Sequence, residues 1–214
     1  MTLENWTVNP ASPEPEMLAR ALALLRRGGT IAYPTETFYG LGADALNEAA
    51  VGKIFAIKGR GFQNPLPVVI GAREDLTSLV ADVPDAAVPL MRDFWPGPLT
   101  LVFRAAPSIP SLLTAGTGKI GIRLSSHPVA RELARRLGGP LTATSANLSG
   151  QKEAVSAQEV RANLRRLEPD ALLDGGPAPG GRGSTVLDVT TDPPTLLREG
   201  AIPLARIDRQ DPCR

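Results

Sequence analysis

Short apolar runs of strand length, separated by amphipathic stretches and by glycine or proline, constrain the fold of this chain more than any other feature. Residues 99–103 (LTLVF) and 120–124 (IGIRL) are two such runs. Strand-like and helical stretches alternate, but several strand-like runs follow one another without a helix between them. This order predicts an α/β fold with a mixed parallel and antiparallel sheet rather than a purely parallel one.

Two helices have ends that the sequence marks clearly. Ser12 followed by Pro13 is typical of a helix N-terminus, and the helical spacing of apolar residues after it ends at Gly28. Asn47 predicts the cap of a second helix that runs to Ile57. Because no long linker follows, we expect one domain over 13–207, with a loose lead-in at 1–12 and a tail at 208–214.

Composition excludes several classes of site. With one Cys and one His, the chain cannot hold a disulfide framework, a cysteine-rich zinc site or a centre with several histidines. A formal net charge of +1 does not indicate a nucleic-acid partner, although a local basic patch stays open. No apolar run approaches the ~20 residues that span a bilayer, and the first residues lack the regions of a signal peptide. We therefore expect a cytoplasmic protein with no membrane partner and no protein-built metal site.

The common motifs of nucleotide and hydrolase chemistry are missing from the sequence. Gly118 and Lys119 are followed by Ile120, which breaks the P-loop pattern, and GLGADA at 40–45 is not a dinucleotide-binding fingerprint. No serine has the surroundings of a nucleophile elbow. Any phosphate binding must therefore use separate lysine, arginine, serine, asparagine and backbone donors.

Five polar clusters interrupt the apolar framework, and several follow a predicted strand, where α/β proteins commonly bind ligands. The polar segment 34–42 (PTETFYGLG) is predicted as a loop or tight turn. The clusters are Thr35–Thr37 with Tyr39, Lys58 and Arg60 with Asn64, Arg123, Ser145 and Asn147 with Ser149, and Ser184 with Arg198. Two cations as close as Lys58 and Arg60 suit a polyphosphate.

Each cluster also has a structural interpretation. Lys58 and Arg60 could form a solvated helix end, where the helix dipole favours cations. Ser145 and Asn147 could cap a helix. Arg123 lies inside an apolar strand, where a buried cation requires an anionic partner, so a salt bridge and a ligand contact both fit.

Taken together and in order, seven segments resemble the YrdC-type threonylcarbamoyl-AMP synthases over nearly the whole chain. They are 28–45 (GGTIAYPTETFYGLGADA), 53–70 (KIFAIKGRGFQNPLPVVI), 94–102 (FWPGPLTLV), 121–130 (GIRLSSHPVA), 144–150 (TSANLSG), 183–188 (GSTVLD) and 197–202 (LREGAI). The hallmark combination is K-x-R with S-x-N, found here at 58–60 and 145–147.

The resemblance implies a twisted mixed parallel and antiparallel sheet, flanked by helices, around a large basic cavity. It implies a nucleotidyltransferase that makes threonylcarbamoyl-AMP and pyrophosphate from L-threonine, bicarbonate and ATP, with Mg²⁺ carried on the phosphates. Separate transferase proteins would then pass the threonylcarbamoyl group to an adenosine of tRNA. Members of the family have also been associated with double-stranded RNA.

The resemblance also implies residue roles. Lys58 and Arg60 would be the catalytic phosphate-binding cations. The remaining ATP-binding residues would be Asn64, Lys119, Ser145, Asn147 and Arg198, and the threonine-binding residues would be Thr35, Thr37, Arg123 and Ser184. In some members a histidine contacts threonine at the position that is Val69 here, so that contact would be lost or replaced.

Three other functions are compatible with the same residues. A tRNA- or double-stranded RNA-binding maturation factor would bind RNA in a salt-dependent manner without needing ATP. The low aromatic content, 4%, and the absence of lysine runs argue against it. A carbamoyl-transferring domain of hydrogenase maturation would occur beside zinc and acylphosphatase-like modules, and an inactive regulatory relative would not need the intact K-x-R and S-x-N pairs.

Overall fold

The computed structural model describes residues 3–59, 61–165 and 167–207. Its strands are β1 (Glu4–Thr7), β2 (Ile31–Tyr33), β3 (Gly40–Gly42), β4 (Val68–Ile70), β5 (Leu99–Arg104), β6 (Lys119–Leu124), β7 (Leu141–Thr142), β8 (Thr144–Ser145), β9 (Ala171–Asp174), β10 (Thr185–Asp188) and β11 (Thr195–Arg198). Its α-helices are α1 (Pro15–Arg26), α2 (Glu48–Lys58), α3 (Leu76–Leu79), α4 (Ala87–Phe94), α5 (Ser111–Thr114), α6 (Pro128–Leu137), α7 (Ala157–Asn163) and α8 (Leu204–Ile207).

The strands form two mixed sheets, which confirms the predicted mixed α/β fold. The first sheet has the order β1-β9-β2-β3-β8 and the second has the order β11-β10-β5-β6-β4-β7. Each contains parallel pairs, such as β2 with β9 and β4 with β6, and antiparallel pairs, such as β2 with β3 and β5 with β6. The sequence predicted one sheet, whereas the strands divide between two.

The division occurs at Ala143, where the chain passes from β7 of the second sheet to β8 of the first. Thr142 joins the two sheets, because its hydroxyl donates to the Leu41 carbonyl at 3.0 Å and accepts from the Ala43 amide at 2.9 Å. The two sheets are therefore held together at the segment that leads into the predicted Ser145 cluster.

Two apolar clusters form the core. The larger one includes the inward-facing residues of β5 and β6 together with α2 and α4. The smaller one packs α1 and α6 against β1, β2 and β4, with Leu18, Leu133 and Val69 among its buried residues. α6 has a marked start and end, since the His127 Nδ1 accepts from the Val129 amide at 3.3 Å and Gly138 adopts a left-handed conformation (φ 76°).

The N-terminal region differs from the prediction. Residues 1–12 were expected to be a loose lead-in, but Glu4–Thr7 pairs with β9 as a parallel edge strand. The first helix begins at Pro15 rather than Pro13, because Glu14 precedes a proline and adopts an extended conformation (ψ 132°) that cannot continue a helix. The predicted tail at 208–214 lies outside the described residues.

The polar segment 34–42 is a turn followed by a strand rather than a loop throughout. Gly40–Gly42 pairs antiparallel with β2, and the turn between them carries the predicted threonines. The face of β3 that carries Gly40 and Gly42 is crowded, since a Cβ at Gly42 would lie 2.8 Å from the Tyr33 ring. Glycine is therefore what lets this strand lie against Tyr33 and fixes the turn beside the second sheet.

Candidate active site

A cavity of about 530 Å³ lies between the turn after β2 and the face of β5, β6, β10 and β11. Its wall brings together eight of the eleven predicted site residues, although they are far apart in sequence. They are Thr35, Thr37, Asn64, Lys119, Arg123, Ser145, Ser184 and Arg198. A cavity of this size is typical of small-molecule sites.

The two-residue period of β6 explains how the cationic side chains reach this wall. Lys119, Gly121 and Arg123 line the cavity, whereas Ile120 and Ile122 point into the core. The same alternation in β5 directs Thr100 and Val102 into the cavity. One face of the second sheet is therefore polar where it meets the cavity and apolar behind it.

Arg123 pairs with a carboxylate that sequence reasoning did not select. Its Nη1 donates to Glu36 Oε1 at 3.1 Å, and the exposed side-chain fractions are 7% for Arg123 and 12% for Glu36. The Ser125 hydroxyl donates to the other oxygen of Glu36. A signal for such a partner was present in the sequence, since a cation in an apolar strand requires an anion, but nothing in the sequence identified Glu36 as that anion.

Ser184 and Arg198 form a second polar group on the wall. The guanidinium of Arg198 donates to the Ser184 carbonyl from Nε at 3.0 Å and from Nη2 at 2.9 Å, and the Ser184 hydroxyl lies 2.8 Å from that of Thr100. Burial lowers the pKa of Arg198, with a further lowering from Arg123 and an opposing effect from Glu153. Arg198 thus lines the same cavity as Arg123, although its side chain is still exposed to solvent.

Lys119 is paired at the other end of the cavity. Its Nζ donates to Asp188 Oδ2 at 2.8 Å, and Asp188 also accepts from the hydroxyl and amide of Thr190. Burial alone would raise the pKa of Asp188, but the hydrogen bonds from Lys119 and Thr190 outweigh it and hold the pKa below its usual value. Asp188 is therefore ionised at neutral pH.

The turn that carries Thr35 and Thr37 is fixed by its own hydroxyls and by the glycine-rich segment 175–184. The Thr35 hydroxyl donates to the Phe38 carbonyl at 2.6 Å and accepts from the Thr37 amide at 3.2 Å. The Tyr39 hydroxyl donates to the Gly176 carbonyl at 2.6 Å. Burial, together with nearby Asp174, raises the pKa of Tyr39 to about 12. Tyr39 thus stays protonated and holds this segment beside the cavity.

Lys58 and Asn147 lie next to the cavity instead of on its wall. Lys58 is 3% exposed, and its Nζ donates to the Ser145 carbonyl at 2.7 Å and to Asn147 Oδ1 at 3.1 Å. Neither residue is among those that line the cavity. The predicted K-x-R and S-x-N pairs are therefore joined, but through an internal bond; Arg60 lies outside the described residues.

Val69 cannot take the place of a threonine-contacting histidine. Its side chain is fully buried in the smaller apolar cluster with α1 and α6, whereas the neighbouring Val68 lines the cavity. Because side chains alternate along β4, position 69 points away from the cavity whichever residue occupies it.

The charged side chains on the described wall are three cations and two carboxylates, Glu153 being the second carboxylate. Glu153 was not selected from the sequence. Within residues 3–59, 61–165 and 167–207 no group of three or more His, Cys, Asp or Glu side chains could hold a metal ion. In the same ranges, no helix has the length and apolar character needed to cross a membrane.

Comparison with known proteins yields consistent matches. The family model Sua5_yciO_yrdC, described as telomere recombination, matches residues 23–200. The threonylcarbamoyl-AMP synthase of Pyrococcus abyssi is 41% identical over 189 residues, covering 88% of this chain and 55% of that protein. The enzyme of the same name from Bacillus subtilis is 41% identical over 213 residues, covering 97% of this chain and 61% of that protein.

A solved structure agrees with these sequence matches. The crystal structure of P. abyssi Sua5 complexed with L-threonine superposes with a TM-score of 0.92 at 37% identity, covering 99% of this chain and 61% of that one. The chain thus spans slightly more than half the length of the P. abyssi and B. subtilis relatives.

Proposed function

The chain belongs to the Sua5/YciO/YrdC family, and on that premise we propose that it forms threonylcarbamoyl-AMP and pyrophosphate from L-threonine, bicarbonate and ATP. The observation that carries the proposal is the cavity that unites a buried arginine, several hydroxyls and further cations from distant segments. The names of the relatives, and the bound L-threonine of the P. abyssi structure, support this choice of substrates.

Threonine is proposed to bind at the Arg123 end of the cavity. A guanidinium is suited to hold a carboxylate through two parallel hydrogen bonds. The hydroxyls of Thr35, Thr37 and Ser184 line the same cavity and can donate to or accept from the polar groups of the substrate.

ATP is proposed to occupy the remaining wall, with Lys119, Arg198, Asn64 and Ser145 around the nucleotide. Arg60 would bind the phosphates, and Asn147 would support Ser145. Lys58, which we expected to contact phosphate directly, is proposed to act through Ser145, since its ammonium holds that residue from behind. Mg²⁺ would enter on the phosphates as part of the substrate.

The reaction would proceed in two steps without a covalent enzyme intermediate. The amine of threonine and bicarbonate first give a carbamate and water. A carbamate oxygen then attacks the α-phosphorus of ATP, the bond to the bridging oxygen breaks, and pyrophosphate leaves. Such chemistry requires positioning and charge stabilisation rather than a nucleophilic side chain, which fits a wall of fixed cations and hydroxyls.

The product would be consumed by a separate transferase that modifies an adenosine of tRNA, and a direct contact of this chain with tRNA or double-stranded RNA is part of the same proposal. We place the reaction in the cytoplasm, where ATP and tRNA meet. Salt-dependent tRNA binding by the purified chain would support the contact.

The proposal is tested by measuring pyrophosphate release with purified protein. We expect release that requires L-threonine and bicarbonate together, and Arg123→Ala is expected to raise the KM for threonine while leaving that for ATP unchanged. A matched control is Arg104→Ala, because Arg104 forms an exposed pair with Asp82 away from the cavity. Pyrophosphate release that does not require threonine would contradict the proposed reaction. A change in Arg123→Ala that is confined to the KM for ATP would contradict the placement of threonine.

A further inference from the structure

We propose that Glu36 is a positioning residue that orients the Arg123 guanidinium for the carboxylate of threonine. This inference rests on the proposed function and extends it to a residue for which the family resemblance implied no role. Glu36 is absent from the wall of the cavity and acts through Arg123.

The geometry fixes the Glu36 carboxylate from two sides. One oxygen accepts from Arg123 Nη1 at 3.1 Å, and the other accepts from the Ser125 hydroxyl. Arg123 and Ser125 lie two residues apart where β6 ends, so they extend from the same side of the chain, and the carboxylate bridges them. Ser125 is fully buried and accepts the His127 amide at 3.1 Å, which links the bridge to the start of α6.

The bridge leaves most of the guanidinium available to a ligand. Arg123 has five N–H donors, and Glu36 is its hydrogen-bond partner within the described part of the chain. The remaining donors are attached to a group whose position is set by a buried ion pair. A fixed guanidinium loses little conformational entropy when it binds a carboxylate. A small displacement of the guanidinium would weaken that binding.

The charge of Glu36 also makes the Arg123 end of the cavity better suited to bind threonine than to bind phosphate. Together Glu36 and Arg123 carry no net charge, which favours a zwitterionic amino acid over a polyanion. Without the carboxylate, one uncompensated buried cation would face the cavity, and phosphate groups would compete there with the carboxylate of threonine. Glu36 would therefore improve both threonine affinity and the separation of the two substrates.

The decisive variant is Glu36→Gln, which keeps the shape of the side chain and removes its charge. We expect the KM for threonine, and its Kd by calorimetric titration, to rise at least ~10-fold, while the KM for ATP stays within about twofold. Glu36→Asp is expected to recover part of the loss. Ser125→Ala keeps the charge and removes one anchor of the carboxylate, so an intermediate increase is expected even if Glu36→Gln folds poorly.

The matched control is Glu132→Gln, because Glu132 pairs with Arg135 and Arg136 on the surface of α6. It is expected to leave both KM values unchanged. Equal threonine affinity in Glu36→Gln and wild type, or a matched loss for both substrates, would overturn the positioning role. Wild-type protein that binds threonine but releases no pyrophosphate would overturn the proposed function alone, since the calorimetric comparison would still test Glu36.

Discussion

Replacing Lys58 by methionine tests whether this lysine supports the site structurally. Methionine keeps most of the aliphatic length and removes the ammonium. In the wild type that ammonium, on a side chain that is 3% exposed, bonds to the Ser145 carbonyl and to Asn147 Oδ1. The Asn147 amide nitrogen in turn donates to the carbonyls of Leu148 and Gln151, so Lys58 supports the ordered segment after β8.

The expected loss of stability follows from the fate of the two acceptors. The Ser145 carbonyl keeps a second donor, the Asn147 amide at 3.0 Å, so losing the lysine there costs about 1 kcal/mol. In the described part of the chain, Asn147 Oδ1 keeps no other donor, and a buried acceptor left without a partner costs roughly 1–3 kcal/mol. We therefore expect the free energy of unfolding to fall by about 2–4 kcal/mol.

Urea denaturation followed by circular dichroism measures this loss, with Lys152→Met as the control because Lys152 is exposed. Since domains of this size are stable by ~5–15 kcal/mol, the variant should remain folded for the pyrophosphate assay. A double-mutant cycle with Asn147→Ala should give a coupling energy of ~1 kcal/mol or more. A change below ~0.5 kcal/mol for Lys58→Met would refute the structural role and favour direct phosphate contact.

Three further predictions concern separate features. Tyr39→Phe removes the hydroxyl that holds Gly176, so hydrogen exchange at residues 175–180 should accelerate while the exchange of β6 amides stays unchanged. Burial lowers the pKa of His127, against a smaller opposite effect of Glu36, so the unfolded chain takes up this proton at higher pH than the folded one. The contribution of this group to stability should thus be complete above pH ~6.5 and fall as the pH is lowered. His127→Asn, which keeps a helix-capping acceptor, should weaken the dependence of the melting temperature on pH between pH 5 and 8. Arg104→Ala breaks an exposed pair with Asp82 and should leave the midpoint of urea denaturation nearly unchanged.

Local features of the fold were predictable because their causes are local. Asn47 caps α2 as expected, since its side chain accepts the Ala50 amide at 3.1 Å. The runs at 99–103 and 120–124 became β5 and β6, because a short, continuous apolar run suits a strand that is buried on both faces. The Asn47 cap and these two strands therefore correspond closely to the observed elements.

Features that depend on distant partners were not predictable. β1 is short and mostly exposed, and it becomes a strand by pairing with β9, more than 160 residues along the chain. The division into two sheets at Ala143 likewise depends on β3 and β4, which lie far from it in sequence. The β-propensity of the residues alone does not determine where such short strands form, because their formation depends on pairing with distant strands.

Arg123 shows why the candidate site was only partly predictable from sequence. The sequence left two interpretations of this buried cation, a salt bridge and a ligand contact, and the structure shows that they are not exclusive. Arg123 faces the cavity while bonded to Glu36. A desolvated guanidinium needs an anion whether or not a substrate is present. A permanent internal carboxylate satisfies that need, so the cation can be buried beside the cavity and still be stable when no ligand is bound.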